Sequence, residues 1–333
     1  MKMDDIAKLA NVSKSAVSIA LNNRPGVSEE TRQRILTIVK EQNYSPQHRL
    51  RKAPLKSILH FITINPKGQG QQAAKLPFFA SLIAEFSVIT QRKSIGLQIE
   101  NLEPEQIDTW AQTLDEEAPE YYGTIVLATA LTKAQILSFT DKLARVLILD
   151  APFKTLAINS ISIDNYLGGY RAAEELIQRG YRRIGYVQAQ EAYPNYAERQ
   201  QGFEKRLSES NLTLTTKHAV NSMTMHQDAD NDIIFQSDLP EVFFCDNDYI
   251  AIRLMRLAQQ HELHVPDDLA IMGFDDIAEG RITSPELTTV HVPVNTIAKV
   301  AIARLQDIKD NHLTEYHLKQ LIEPTVIIRH SIN

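Results

Sequence analysis

The chain of 333 residues contains 35 Lys and Arg, 41 Asp and Glu, and 43% apolar residues, with a formal net charge of −6. Because it has a single cysteine, Cys245, and no run of 18 apolar residues, the composition excludes an internal disulfide framework and a membrane span. The length exceeds one small domain, so we expect a cytoplasmic protein of several domains without a membrane partner.

Residues 1–46 predict three short helices joined by tight turns. The first helix is expected from Asp4 to Ala10, and Ser13 can cap a second helix that runs from Lys14 to Leu21. A helix this short is not stable alone, so it must pack on the first one. The arrangement is a helix-turn-helix, in which the second helix enters the major groove of DNA.

The second helix has an apolar stripe and a polar outer side. Its buried stripe is expected to consist of Ala16, Val17, Ala20 and Leu21. Lysine and serine on the outer side can donate to phosphates or purine edges, and isoleucine can contact a thymine methyl. The alternative is the solvated face of a small helical bundle, which leaves an exposed isoleucine unexplained. The residues expected to contact DNA from this side are Lys14, Ser15, Ser18, Ile19 and Asn22.

A third helix is predicted after the Pro25-Gly26 turn. Ser28 can cap it, acidic residues in its first turn suit the helix dipole, and Pro46 ends it. Apolar residues on this helix and the first one are expected to form the core of the module. They are Ile35, Leu36, Ile38 and Val39 on the third helix, and Ile6, Leu9 and Ala10 on the first.

The residue spacings in this segment are specific. The residues that recur at these fixed spacings are Asp5-Ile6-Ala7, Ala10, Val12-Ser13, Val17-Ser18, Leu21-Asn22, Val27-Ser28, Thr31-Arg32, Ile35 and Tyr44-Ser45-Pro46. This set resembles the headpiece of the LacI/GalR family of bacterial transcription repressors. The resemblance implies operator DNA as a partner, and we expect Ser28 and Arg32 to share in the DNA contact. Ile19 stands where the family usually has arginine, so no operator sequence is implied.

Charge is divided unevenly along the chain. Residues 1–56 hold 11 Lys and Arg against 5 Asp and Glu, which leaves 24 against 36 in the remainder. A basic end on an acidic body is expected to bind phosphates in a salt-sensitive way. The basic end lacks the bulky aromatic or leucine-rich face that binding to a membrane surface requires.

Residues 47–56 are expected to form a cationic linker. In the family this segment is a hinge helix that forms on DNA, but Pro54 interrupts the pattern here. We expect Arg49 and Arg51 to hold phosphates or a narrow A·T minor groove. A solvated tether is the alternative.

Residues 57–333 alternate short apolar runs with helical stretches, which is typical of parallel sheets covered by helices. The region is longer than one doubly wound sheet requires, so two similar lobes are expected. Strands are predicted at Ile58–Ile64, Gly96–Ile99, Thr124–Leu127, Val146–Leu149, Ile184–Val187, Val242–Cys245 and Leu269–Met272. Helices are predicted at Phe78–Arg92, Pro104–Glu116, Asn165–Arg179, Glu198–Ser208 and Asp248–Gln260.

This region also resembles the core of the same family, which is built like the type I periplasmic binding proteins. The markers include Ile163-Asp164-Asn165, Arg199-x-x-Gly202-Phe203, Asp246-Asn247-Asp248 and Gly273-Phe274-Asp275-Asp276. The implied fold is an N-terminal all-α helix-turn-helix headpiece plus an α/β core of two doubly wound parallel-sheet lobes. The resemblance places the crossings between lobes near 158, 290 and 322. Lobe 1 then comprises about 57–158 and 292–321, and lobe 2 about 159–291 and 322–333.

Ligands of open parallel sheets bind at the carboxyl ends of the strands. Asn247 and Asp275 follow two predicted strands, and amides, carboxylates and an arginine fork suit the recognition of polyols. Arg199 has an interlobe salt bridge as its alternative role, and Asp275 has loop capping. Asp164 is expected to cap the helix that begins at Asn165 in preference to contacting the ligand. The resemblance implies that a sugar or sugar phosphate contacts Arg199, Asn247 and Asp275, with Phe79 and Phe274 as apolar walls and Asp164 nearby.

Two patterns resemble enzyme sites without supporting one. Gly68-x-Gly70 mimics a dinucleotide-binding turn but lies between two prolines, and the neighbours Asp275-Asp276 are expected to point apart. The ten histidines show no metal-ligand spacing, and no cofactor is expected. We therefore predict a homodimeric repressor that binds operator DNA and responds to a sugar-like effector. The alternatives are a solute-binding protein and a DNA-binding protein without an effector.

Overall fold

The chain divides into two compact units, Met1–Ala53 and Pro54–Asn333. The computed structural model describes residues 3–21, 25–42, 57–64, 77–151, 153–220, 235, 238–311 and 316–333. Asn22 and the predicted linker at 47–56, with Arg49 and Arg51, lie outside the described residues.

The described part of the N-terminal unit is helical. It contains α1 (Met3–Leu9), α2 (Lys14–Leu21) and α3 (Glu29–Glu41). The caps follow from the sequence, since Ser13 accepts from the Ala16 amide at 3.2 Å and Ser28 from the Thr31 amide at 3.2 Å. Each hydroxyl satisfies a backbone N–H that the first turn of a helix leaves without a partner.

The core of this unit is smaller than predicted. Its buried apolar residues are Ile6, Ala7, Ala10, Val17, Ala20 and Ile35. Leu9 and Leu36, both predicted to be buried, are 54% and 38% exposed. Successive residues of a helix are separated by about 100°. Leu9 and Leu36 therefore lie roughly that far from the stripes that face the other helices.

The second unit contains two sheets. The strands are β1 (Ser57–Ile64), β2 (Ile95–Leu102), β3 (Tyr121–Leu127), β4 (Val146–Leu149), β5 (Ser160–Ile163), β6 (Ile184–Ala189), β7 (Thr216–Val220), β8 (Val242–Cys245), β9 (Ala270–Asp275), β10 (Thr288–His291), β11 (Lys319–Ile322) and β12 (Thr325–Ile327). The first sheet has the order β11-β5-β4-β3-β1-β2, and the second β12-β10-β9-β8-β6-β7. Neighbours run parallel except β10 and β12, which are antiparallel. The two lobes therefore have matching topology.

Helices connect the strands within each lobe. They are α4 (Pro77–Arg92), α5 (Ile107–Gln112), α6 (Lys133–Thr140), α7 (Asn165–Gln178), α8 (Pro194–Glu209), α9 (Asp248–Gln260) and α10 (Val294–Asn311). The helix predicted at Pro104–Glu116 is shorter, because a 3₁₀ turn at Pro104–Gln106 precedes α5. None of the helices in the described ranges is long and apolar enough to cross a membrane.

The first crossing between lobes lies later than predicted. The strand β5 pairs with β4 and β11, so residues 160–163 belong to the first sheet and the chain leaves it after Ile163. The predicted crossing near 158 is therefore wrong. The cause is local, because Ser-Ile-Ser-Ile is short and half polar and gives no strong strand signal. The other crossings follow His291 and Ile322.

Strands in the middle of each sheet are covered on both faces. All four residues of β8 are buried, as expected where helices pack on both sides of a parallel sheet. Cys245 ends this strand, and burial raises the pKa of its thiol well above the usual value. The cysteine is thus a core residue with little thiolate character.

Candidate functional site

The outer side of α2 presents the predicted DNA contacts unequally. Lys14 and Ser15 are exposed, whereas Ser18 and Ile19 are half-buried. A Cβ built on Gly26 would lie 3.3 Å from Ile19 Cδ1, so the isoleucine packs against the turn that precedes α3. Ile19 therefore has an intramolecular contact as well as an accessible part.

The two predicted contacts on α3 have partners within the unit. Ser28 is exposed but its oxygen accepts the cap hydrogen bond already described. The Arg32 guanidinium donates to the Ala20 carbonyl oxygen at 3.2 Å, and its side chain is 12% exposed. The structure thus gives Arg32 a role in holding the end of α2. The contact of Ser28 and Arg32 with DNA stays a prediction.

A pocket lies in the second unit where carboxyl ends of strands from both sheets meet. Loops and helix starts that follow these strands supply its polar residues, as in other open parallel sheets. Its volume is about 60 Å³. The lining residues are Phe78, Phe79, Thr129, Asp150, Ile163, Tyr193, Asn195, Tyr196, Arg199, Asn247, Tyr249 and Asp275.

Arg199, on α8, is the central cation of this pocket. It is 2% exposed, its guanidinium carbon lies 3.4 Å from the centre of the Phe274 ring, and it donates to Asn165 Oδ1 at 2.9 Å. It also donates to the backbone oxygen of Asp246. Its Nε is buried without a hydrogen-bond partner among the described residues. A buried donor without a partner is costly, so the guanidinium keeps unused hydrogen-bonding capacity beside the pocket.

Two carboxyl groups face this guanidinium. Burial raises the pKa of Asp275 to about 7, with nearby Asp150 and Asp246 adding to the rise and Arg199 opposing it. Burial also raises the pKa of Asp150, which accepts from the Thr129 hydroxyl at 2.7 Å.

Both residues have a left-handed backbone, with φ of 117° at Asp275 and 57° at Asp150. Non-glycine residues rarely adopt this conformation, and such strain concentrates at ligand sites.

Asn247 combines a cap with a pocket position. Its Oδ1 accepts from the Ile250 amide at 2.9 Å at the start of α9, and its Nδ2 donates to the Tyr196 hydroxyl at 3.1 Å. The cap fixes the side chain at the end of β8, where it lines the pocket. One amide thus serves local structure and site geometry together.

The pocket includes most of the predicted effector residues, but not two of them. Phe79, Arg199, Asn247 and Asp275 line it together. Asp164 instead accepts from the Leu167 amide at 2.9 Å and caps α7. Phe274 is fully buried beneath Arg199 rather than forming a wall. The cap expected at Asp164 is therefore present, whereas Phe274 supports Arg199 and does not form the expected wall.

Several lining residues were missed by the sequence analysis. Asp150 could have been predicted, because it follows the predicted strand that ends at Leu149 and ligands bind at the carboxyl ends of parallel strands. The same rule selected Asn247 and Asp275. The aromatic residues of the pocket carried no comparable signal, since their sites depend on tertiary packing. The missed polar and aromatic residues are Phe78, Thr129, Asp150, Tyr193, Asn195, Tyr196 and Tyr249.

A helix-turn-helix unit joined to a two-lobed core with a polar pocket defines the class of ligand-responsive DNA-binding regulators. Residues 2–47 match the family model "Bacterial regulatory proteins, lacI family", and residues 173–332 match "Periplasmic binding protein-like domain". The chain is 31% identical to the ribose operon repressor of Haemophilus influenzae, covering 99% of this chain and 98% of that one. It is 28% identical to the transcriptional repressor PurR of Histophilus somni, with 98% of both chains covered.

Solved structures agree on the fold. The lac repressor dimer bound to operator and an anti-inducer matches with a TM-score of 0.67 at 20% identity, over 99% of this chain and 98% of that one. A LacI family regulator from Enterococcus faecium with bound ribose matches with 0.68 at 19% identity, over 82% and 98%. The predicted fold class is confirmed. The chain belongs to the lacI family of bacterial regulatory proteins and is an operator-binding repressor regulated by a small-molecule effector.

Proposed function

We propose that this repressor is a cytoplasmic homodimer whose affinity for its operator changes when a neutral sugar binds in the pocket around Arg199. The observation that carries the proposal is the buried Arg199 guanidinium, with one donor unpaired, facing the carboxyl groups of Asp150 and Asp275. Carboxylates and a guanidinium can each hold neighbouring hydroxyl groups, which is how proteins bind polyols.

Charge favours a neutral ligand over a sugar phosphate. Asp150, Asp246 and Asp275 all interact electrostatically with Arg199. A phosphate placed here would meet an excess of carboxyl groups with little water to screen it. Two of the matches support a sugar, since one relative is named for the ribose operon and one structural neighbour holds ribose. We therefore narrow the predicted effector to an uncharged sugar or glycoside.

The DNA contact is assigned to α2. Lys14 and Ser15 are exposed at its start, and Ser18 and Ile19 lie on the same side further along. A helix of eight residues reaches few bases, so useful affinity requires two copies on a two-fold-related site. A homodimer follows, as in the lac repressor dimer bound to operator.

A catalytic role is not proposed, because the second carboxylate of the Asp275-Asp276 pair is engaged elsewhere. Asp276 accepts from His291 at 2.9 Å, from Arg281 at 3.1 Å and from Arg329. Two carboxyl groups that act on one glycosidic bond must converge across it. Asp276 instead stabilises the loop that follows β9.

Selection of bound fragments from random duplex DNA, with and without a panel of neutral sugars and sugar phosphates, tests the proposed function. We expect one enriched palindromic motif and one neutral sugar that changes operator affinity at least tenfold, with no response to the phosphates. An enriched motif that no carbohydrate affects would indicate an effector of another class. Enrichment of no motif would contradict the DNA-binding role itself.

A further inference from the structure

Two of the crossings between the lobes run side by side in the second sheet. One leaves β10 at His291, and the other enters β12 at Thr325. These two residues lie directly opposite each other in the antiparallel pair of β10 and β12. Because the crossings are the covalent links between the lobes, a change in the angle between the lobes must bend the chain next to His291.

The loop that carries a pocket residue lies on the other side of His291. In the parallel pair of β9 and β10, His291 is in register with Asp275, which lines the Arg199 pocket. Asp275 and Asp276 both have a left-handed backbone, with φ of 117° and 58°. His291 is therefore flanked by the pocket loop on one side and by another crossing on the other.

A side-chain hydrogen bond joins this loop to the crossing at His291. The imidazole Nδ1 of His291 lies 2.9 Å from Asp276 Oδ2. Burial acts to raise the pKa of Asp276, but hydrogen bonds from His291 and Arg329 outweigh it and hold the value at about 2. The ionised carboxylate only accepts hydrogen bonds, so the imidazole is the donor. The Asp276 side chain is 3% exposed, and water therefore competes little for this bond.

Arg329 holds the same carboxylate from the body of the second lobe. Its guanidinium donates to Asp276 Oδ1 and, at 2.7 Å, to the backbone oxygen of Leu287. The Arg329 amide donates to the Thr288 hydroxyl at 2.8 Å, at the start of β10. Asp276 is thus anchored within the lobe, whereas His291 belongs to the segment that leaves it. The hydrogen bond between Asp276 and His291 therefore resists movement of the crossing relative to the pocket loop.

Arg281 offers a comparison within the same set of contacts. Its guanidinium donates to Asp276 Oδ2 at 3.1 Å, which is the oxygen that His291 also contacts. Arg281 lies on the 3₁₀ turn Ala278–Arg281, its side chain is 60% exposed, and the turn belongs to no crossing. A contact that only stabilises the loop is common to both residues, whereas control of the crossing is specific to His291.

We propose that His291 is a positioning residue that couples the effector pocket to the angle between the two lobes. A ligand that contacts Asp275 shifts the loop formed by Asp275 and Asp276, and the hydrogen bond from His291 carries that shift to the crossing. The bond therefore sets how strongly the effector changes operator affinity and contributes little to the binding of either partner alone. The inference rests on the proposed function, since it concerns the response of the same pocket.

Two substitutions of nearly equal size test this bond in the full-length protein. His291→Asn keeps an N–H donor near the position of Nδ1, whereas His291→Leu removes the donor. The operator Kd is measured with and without a saturating probe sugar, and the ratio of the two values is the response. The probe is the sugar among D-ribose, D-glucose, D-galactose, D-xylose and the rest of the neutral panel that changes the parent's operator affinity most. We expect the response to fall about fivefold or more in His291→Leu and to stay within about twofold of the parent in His291→Asn.

Two further measurements separate coupling from binding and folding. The Kd for the probe sugar, measured by calorimetry, and the operator Kd without sugar should each change less than about threefold in both variants, because His291 does not line the pocket. Arg281→Gln is the control, and its response should stay within about twofold of the parent. His291→Val, which suits a strand, repeats the test if His291→Leu does not fold.

The inference is overturned if His291→Leu responds like the parent, or if His291→Asn loses the response to the same extent. It is also overturned if Arg281→Gln loses as much of the response as His291→Leu, because His291 would then only help to stabilise the loop. If no neutral sugar changes the operator affinity of the parent, the proposed function is wrong and the inference falls with it.

Discussion

Two adjacent carboxyl groups, Asp275 and Asp276, have opposite electrostatic environments. Burial next to Asp150 and Asp246 raises the pKa of Asp275 to about 7. Burial also acts to raise the pKa of Asp276, but hydrogen bonds from His291 and Arg329 outweigh it and hold the value at about 2. Neighbours in sequence thus serve different purposes, one at the ligand site and the other in structure.

Asp275→Asn should stabilise the protein at alkaline pH and lower its affinity for the effector. The folded protein keeps a proton on Asp275 between about pH 3.8 and 7 that the unfolded chain has released, so the free energy of unfolding falls as pH rises through this window. The amide removes that loss, which is on the order of 4 kcal/mol above pH 7. Denaturant titrations at pH 4 and pH 8 measure the difference. If the variant is less stable than the parent at pH 8, the buried carboxylate of Asp275 does not destabilise the folded protein as described.

Asp276→Asn should act in the opposite direction. The Asp276 carboxylate stabilises the folded state above about pH 3.8, and this contribution is lost as pH falls through about 2. Its side chain is 3% exposed and pairs with Arg329, which is 9% exposed. The amide should therefore lower the free energy of unfolding at pH 7 by about 2–3 kcal/mol. The same titrations serve, and equal stability of variant and parent at pH 7 would contradict the account.

At the scale of elements, α7 and α8 pack unusually closely. A Cβ on Gly169 would lie 1.9 Å from the Arg199 carbonyl oxygen, and one on Gly202 would lie 1.8 Å from that of Tyr166. The two helices can approach this closely only because glycine occupies both positions. The close contact between α7 and α8 also fixes the position of Arg199 relative to the pocket.

Gly202→Ala should therefore separate the two helices and displace Arg199. We expect a loss of about 3 kcal/mol or more in the free energy of unfolding, because backbone atoms must move. Effector affinity should fall as well. Gly280→Ala is the control, since the atoms nearest its Cβ would be side-chain atoms of Leu287, at 3.4 Å or more. Thermal melts of both variants check the prediction, and equal melting temperatures for Gly202→Ala and the parent would contradict it.

The element α2 carries the prediction on DNA sequence preference. Ile19 is half-buried against the Gly26 turn but lies on the outer side with Lys14 and Ser18. Ile19→Arg replaces a methyl contact with a guanidinium that can reach guanine, so the preferred operator should change by one base pair per half-site. Repeating the selection from random DNA measures the change. An unaltered motif would show that Ile19 only packs on the turn.

At the scale of the whole second unit, the two lobes are linked at the mouth of the pocket. The Tyr249 hydroxyl, on α9, accepts from the Phe78 amide at the start of α4 at 2.9 Å. Phe78 and Tyr249 both line the Arg199 pocket, so this bond joins a ligand-facing part of each lobe. It offers a route by which the occupied pocket sets the position of α4.

Tyr249→Phe keeps the ring and removes the interlobe hydrogen bond. We expect effector affinity to change less than fivefold, while the effector-induced change in operator affinity falls about three- to tenfold. Tyr166→Phe, on a residue that is 40% exposed, is the control and should leave both quantities unchanged. Fluorescence anisotropy on labelled operator, with and without effector, measures the response. An unchanged response in Tyr249→Phe would exclude this bond from the coupling.

The sequence predicted what local patterns encode and missed what tertiary packing decides. Ser13 and Ser28 were identified as caps because capping depends on residues within one turn. The strand β5 was missed because its four residues give a weak local signal and its place in the first sheet depends on pairing with β4 and β11. Phe274 was expected to form a wall of the pocket, but it lies buried beneath Arg199, and this too depends on tertiary packing. The motif identifies Phe274 as a residue of the site, whereas only the fold shows that Arg199 lies between it and the pocket.

The central claim is that a sugar in the Arg199 pocket controls operator binding by α2. The most direct measurement is the dissociation constant for the selected operator, with and without saturating effector, for the parent protein and Asp275→Asn. We predict at least a tenfold change in the parent and no more than twofold in the variant at the same sugar concentration. A parent dimer without preference for any duplex at modest salt, or a variant that responds like the parent, would contradict the claim.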